Sequence, residues 1–206
     1  MRDSQGRFRR NSAVENYQDE LLHKLSLLFE LDIKKEWASM QEERAMQIYS
    51  PRIDVAVGPF ATEESLEFTY NEILERRSVQ QFIQRLVEFN RQNLRWYGDF
   101  VVPREYDQIS HLNFNARCFL AIEIENKVSR KHLMGGAINA SALGRFGIVI
   151  PWSEDKLHAF IKLVRYLHYL RNAQKNTFDT SNLLIVTRNQ MDTAINEMLR
   201  MENRVI

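Results

Sequence analysis

The sequence predicts an α/β protein in which a mixed central sheet is covered by helices. Residues 146–150 are a continuous apolar run and 182–187, with Leu183 to Val186 at its centre, reads as another strand buried on both faces. Between them, Leu157, Phe160, Ile161, Val164 and Leu167 recur at helical spacing. Only 7 Gly and 4 Pro punctuate 206 residues, so most of the chain is regular structure. Strands that alternate with helices in this way build layered sandwiches.

In chain order, residues 1–12 carry Arg2, Arg7, Arg9 and Arg10 and read as a flexible basic tail, or as an arm that grips phosphate. Residues 14–31 form a helix, with Leu21, Leu22, Leu25, Leu28 and Phe29 on one stripe and Glu15, Asp19 and Glu20 in its first turns. Residues 34–47 extend that helix or form a second one. Pro51 breaks the pattern. Ile53, Val55 and Val57 then alternate with Arg52, Asp54 and Ala56, a short strand stopped by Gly58-Pro59.

Residues 61–116 form a mainly helical insertion against one edge of the sheet. Within it, Ser78 and Gln81 read as a capping box ahead of the stripe Phe82, Leu86 and Phe89, and residues 100–102 read as a short strand. A strand covers 117–125. A helix over 130–143 follows, ended by Gly144 as a left-handed cap. Its small residues Gly135, Gly136, Ala137 and Ala140 let it sit close to the sheet. Ser153 caps the next helix, and a last helix covers about 190–202. The whole, 1–206, is expected to be a single domain.

The net charge of +1 gives no global basic field, so any nucleic-acid surface must be local. Arg85, Arg91 and Arg95 with Trp96 and Tyr97 read as a solvated helix face or as contacts to nucleic acid. No apolar run approaches the length of a membrane span. Residues 1–12 lack the apolar core of a signal peptide, and the single Cys118 cannot form an internal disulfide, so a cytoplasmic location is expected. Histidines are scattered, with no zinc spacing, and neither a P-loop nor a dinucleotide fingerprint occurs.

The chemistry concentrates in residues 119–127. On a strand, Cys118, Leu120, Ile122 and Ile124 share an apolar face, and Glu123, Glu125 and Lys127 share the other. Carboxylates in such a row are costly to bury unless they are paired or bind metal. A third carboxylate, Asp54, sits in the other short strand among Ile and Val. Oxygen donors of this kind suit Mg²⁺ or Mn²⁺. The plainer reading is a charged strand end making surface ion pairs.

The order is a strand acid, a strand with Glu-x-Glu or Glu-x-Lys, a helix and a buried strand. It resembles the PD-(D/E)xK nuclease superfamily, and the residues that carry the likeness are Ser50, Pro51, Arg52, Ile53 and Asp54 with Glu123, Ile124, Glu125, Asn126 and Lys127, and Lys131 close behind. The resemblance implies a restriction-endonuclease-like α/β/α core and an Mg²⁺- or Mn²⁺-dependent endonuclease acting on double-stranded DNA, in restriction or defence. It implies metal held by Asp54, Glu123 and Glu125, a lysine (Lys127 or Lys131) near the phosphate, and an acid from the first helix, for which Glu20 is the choice ahead of Glu15. It also implies a homodimer that cuts both strands. Two registers are open, Glu123-x-Glu125 and Glu125-x-Lys127, and the first is preferred because Glu123 directly follows the apolar run. The spacing is wide for this family: 68 residues separate Asp54 from Glu123 (123 minus 55), which is why 61–116 is read as an insertion. The alternatives are a nuclease-like fold that only binds nucleic acid or protein, and a different metal-dependent phosphohydrolase.

Overall fold

A computed structural model describes residues 12–40, 50–95, 98, 104–126, 129–175 and 178–202. The elements run α1 (Ser12–Phe29), β1 (Ile33–Ala38), β2 (Arg52–Val57), α2 (Glu67–Glu75), α3 (Arg77–Arg95), α4 (Tyr106–Ile109), β3 (Cys118–Glu125), α5 (Arg130–Leu143), β4 (Gly144–Pro151), α6 (Glu154–Asn172), β5 (Leu183–Ile185) and α7 (Arg188–Met201). The described residues therefore form a mixed α/β fold with seven helices and one five-stranded sheet, ordered β1-β2-β3-β4-β5. β1 pairs antiparallel with β2, and β2 with β3. β3, β4 and β5 are parallel.

The sheet divides two apolar layers. On one face Val55, Val57, Leu120, Ile122, Ile148 and Leu184 pack against α1, α3 and α7, through residues such as Leu21, Leu25, Leu86 and Ile195. On the other, Ala56, Ala121, Val149 and Ile185 meet Ala137 and Ala140 of α5 and Phe160 and Ile161 of α6. Burial of these side chains is the main term holding the layers together, at about 25 cal/mol per Å² of apolar surface.

Several expectations are corrected. Residues 34–38 do not continue the first helix, because 33–38 form the edge strand β1. Lys34, Lys35 and Glu36 favour helix locally, but pairing with β2 overrides that preference. Gly144 is not a left-handed cap: its φ is −88° and it opens β4. It must be glycine because a Cβ there would lie 2.9 Å from the Ala121 backbone nitrogen and 2.4 Å from the Phe146 carbonyl. Cys118 packs in the α5/α6 layer, opposite Leu120, Ile122 and Ile124. Ser78 lies inside α3, which starts at Arg77. Ser153 occupies the N-cap of α6, but its hydroxyl makes no cap bond and accepts from Lys156 Nζ instead. Gly135 faces open space and does not pack on the sheet. Residues 1–11, 41–49 and 100–102 lie outside the described residues.

Within 61–116 the structure places α2, α3 and α4. Tyr70, Phe82, Ile83 and Leu86 join the core on the α1/α7 face. α3 also seals the sheet at β5: Asn90 Oδ1 accepts from the Ile185 N–H at 2.9 Å, and Asn93 Nδ2 donates to the Ile185 carbonyl at 2.9 Å. Both asparagines are buried. They satisfy backbone groups that an edge strand otherwise leaves open for another chain.

At the start of β4 the Arg145 side chain is fully buried. Its Nη2 donates to Asn71 Oδ1 at 2.9 Å, and burial lowers its pKa against the opposing pull of Glu67. No helix among the described residues is long and apolar enough to cross a membrane.

Candidate acidic site

β2 and β3 run side by side through Val57–Leu120, Ala56–Ala121 and Val55–Ile122. Asp54 and Glu123 each lie one residue beyond the last pair, Val55–Ile122, and Glu123 faces α5. There the ladder ends and a side chain takes over: Asp54 Oδ2 accepts from the Ile124 backbone N–H at 2.7 Å. The carboxylate thus fills a backbone acceptor position at the point where the strands part.

Glu123 is half-buried. α5 crosses over it closely enough that a Cβ at Gly136 would touch its Cβ and Cγ at 3.8 Å. Its pKa lies well above the ordinary carboxyl value, first because burial disfavours the charge and then because Asp54, Glu125 and Glu36 repel it. These carboxylates therefore share one electrostatic centre. Glu36 joins it although 34–47 read as helix from the sequence, which hid its alternation with Lys35 and Trp37. The pairs Lys35–Val55 and Trp37–Ile53 bracket it, which places it beside Asp54 in the register. Its φ of 50° is a left-handed conformation that costs a non-glycine residue energy. Gln18 of α1 donates to its Oε1 at 3.5 Å.

Of the remaining candidates, Glu20, Glu15 and Lys131 are among the described residues. Glu20 accepts from Lys24 at 2.5 Å, and Lys24 also reaches Asp192 of α7 at 3.2 Å, so this helix acid belongs to an α1–α7 ion-pair network. Glu15 is half-buried in the first turn of α1. Lys131 is exposed at the start of α5. Lys127 lies outside the described residues.

Among the described residues, no three His, Cys, Asp or Glu side chains converge as a ready-made cation cage. The donors fit a hard cation in kind, since all are carboxylate oxygens. Mg²⁺ commonly takes only one or two carboxylates and fills its octahedron with water and phosphate oxygens. Asp54 and Glu123 supply two carboxylates from neighbouring strands, with Glu125 at the end of β3.

No protein-family model, curated protein or solved structure matches the chain.

Proposed function

We propose that the chain is an Mg²⁺- or Mn²⁺-dependent endonuclease with a restriction-endonuclease-like core of the PD-(D/E)xK kind. The observation that carries this reading is the fork between β2 and β3. There Asp54 reaches from β2 to the Ile124 N–H of β3, next to Glu123, whose pKa burial and neighbouring carboxylates raise. A buried acidic group of this sort gains most from a divalent cation, which removes its repulsion. Asp54 and Glu123 would hold the ion, aided by Glu125. When bound, such an ion polarises a phosphodiester and acidifies a water. Glu125 would orient that water and take up its proton as the water oxygen bonds to phosphorus and the P–O bond to the leaving sugar oxygen breaks, that oxygen taking a proton from solvent. Lys127 or Lys131 balances charge on the phosphoryl oxygens. The substrate is double-stranded DNA, and a homodimer cuts both strands.

The test is cleavage of supercoiled plasmid with Mg²⁺, with Mn²⁺ and in EDTA, by wild type and Asp54→Asn. Metal-dependent nicking by the wild type, reduced at least about a hundredfold in the variant, is expected from loss of a ligand that orients the reacting phosphate. Failure of the wild type to cut in either metal overturns the reading. The absence of a three-residue cage among the described residues favours one rival, a nuclease-like fold that only binds nucleic acid. That rival retains plasmid in a gel shift without ever cutting it.

A further inference from the structure

A pocket of about 540 Å³ opens where β4 and β5 end, between the first turns of α6 and α7 and the last turns of α3. Its size suits one small organic ligand. It abuts the strand that carries the acidic centre: Glu125 pairs with Pro151, and the N–H of Trp152 donates to the Glu125 carbonyl at 3.0 Å. Pro151 and Trp152 both line the pocket.

The lining has two chemically different parts. Pro151, Leu157 and Ile161 supply an apolar wall, and the Gln92 and Asn189 amides beside it have no hydrogen-bond partner among the described residues. The Asn93 and Gln190 amides are spent on each other and on the backbone. The second part is Arg188. Its guanidinium carbon sits 3.9 Å from the centre of the Trp152 ring, which fixes the group in place. Arg188 has no carboxylate partner among the described residues, and Asp192, one turn on, pairs with Lys24. The Glu154 carboxylate at the rim lies 3.7 Å from His158 Nε2. Beneath Trp152, the ring of Tyr17 packs edge-on at 6.0 Å, and its buried hydroxyl has no hydrogen-bond partner.

We propose that this pocket binds one nucleotide of the substrate strand, swung out of the duplex, its phosphate on Arg188 and its base on the apolar wall between the Gln92 and Asn189 amides. An arginine held on an aromatic face keeps its N–H edges for phosphate oxygens. Unspent amides read the donor and acceptor edge of a base. The choice of a nucleotide rests on the nuclease reading of the neighbouring acidic centre, and the site itself is separate from that centre.

The test is calorimetric titration in EDTA, where no cleavage occurs, with dAMP, dCMP, dGMP and dTMP, deoxyadenosine and inorganic phosphate as probes. At least one mononucleotide is expected to bind, and deoxyadenosine and inorganic phosphate each about tenfold or more weaker, since each loses one half of the contacts. Arg188→Ala is expected to weaken mononucleotide binding about tenfold, while Arg200→Ala, an exposed charge at the far end of α7, leaves it unchanged. Circular dichroism and the melting temperature establish that Arg188→Ala is folded, and Gln92→Ala, on a different helix, supplies a second variant with the same expected direction. A short single-stranded oligonucleotide is expected to compete with the mononucleotide. No mononucleotide binding, equal binding of inorganic phosphate, equal loss in Arg200→Ala, or no competition by the strand each overturns the proposal. The plasmid assay fails or succeeds separately: a protein that binds dAMP in EDTA but never cuts DNA keeps the pocket and loses the nuclease reading.

Discussion

At Glu123, burial and neighbouring carboxylates push in the same direction, so the folded chain holds that proton more tightly than the unfolded chain does. The unfolded carboxyl titrates near its ordinary value of 4.5, and the folded one well above it. The stabilisation from this site is therefore fully present below the unfolded pKa and is lost as pH rises through the raised one. In EDTA, the wild type is expected to lose stability over that window. Glu123→Gln is expected to flatten the dependence and to be more stable at its upper end, by on the order of 1 kcal/mol. Urea midpoints at stepped pH measure this, and a variant that follows the wild-type slope removes Glu123 as its source. The glycines supply a second contrast. Gly135 sits in helix α5 with nothing within 4 Å of an added Cβ, so Gly135→Ala is expected to stabilise by about 0.5–1 kcal/mol. At Gly144 the same methyl would lie 2.4 Å from a carbonyl oxygen, and Gly144→Ala is expected to cost about 1–3 kcal/mol or to prevent folding. Thermal melts of both variants separate a helix glycine that propensity disfavours from a strand glycine that packing requires.

Among the elements, those with one dominant periodicity were legible in the sequence. β3, β4, α6 and α7 follow from continuous apolar runs and helical stripes, and their observed bounds lie within a few residues of the expected ones. β1 was not legible, because Lys34, Lys35 and Glu36 read as helix formers and only pairing with β2 makes them a strand. The role of α3 was partly legible. Its stripe of Phe82, Leu86 and Phe89 gives a helix, but nothing local reveals that Asn90 and Asn93 complete the backbone bonding of β5. That strand spans only Leu183–Ile185, so its order depends on the helix beside it. Asn90→Leu and Asn93→Leu are each expected to cost about 1–3 kcal/mol, since each strands a buried backbone group of Ile185. Hydrogen exchange at the Ile185 amide is expected to rise in Asn90→Leu, whose oxygen accepts that proton, and much less in Asn93→Leu. Equal protection in both variants would show that β5 does not rely on α3.

For the whole molecule, the candidate site is legible only in part because its members come from distant stretches of chain. Asp54 and Glu123 announce themselves as acids among Ile and Val, whereas Glu36 becomes visible only once β1 lies beside β2. Arg188 and Trp152 lie far apart in sequence, and their stacking follows from β4 and β5 ending side by side. If the acids bind a cation, folding and metal binding are linked, because an ion that binds only the folded chain stabilises it by mass action. At about a hundredfold excess over its dissociation constant, the gain is about 2.7 kcal/mol. For a chain of this size, that corresponds to a rise of roughly 5–10 °C in melting temperature. The same linkage fixes the pH response. Cation and proton compete for Glu123, so the Mg²⁺-induced rise is expected to grow as pH increases through the raised Glu123 pKa. Asp54→Asn keeps an oxygen for the Ile124 N–H but loses the charge, so it is expected to stay folded and to lose most of the rise. A strand end that makes only surface ion pairs predicts a melting temperature indifferent to Mg²⁺ at every pH. Melts of wild type and Asp54→Asn across pH, with Mg²⁺ and with EDTA, decide between the two without any knowledge of the substrate. A full metal response in Asp54→Asn would take Asp54 out of the ligand set and leave the cation to the Glu123–Glu125 strand.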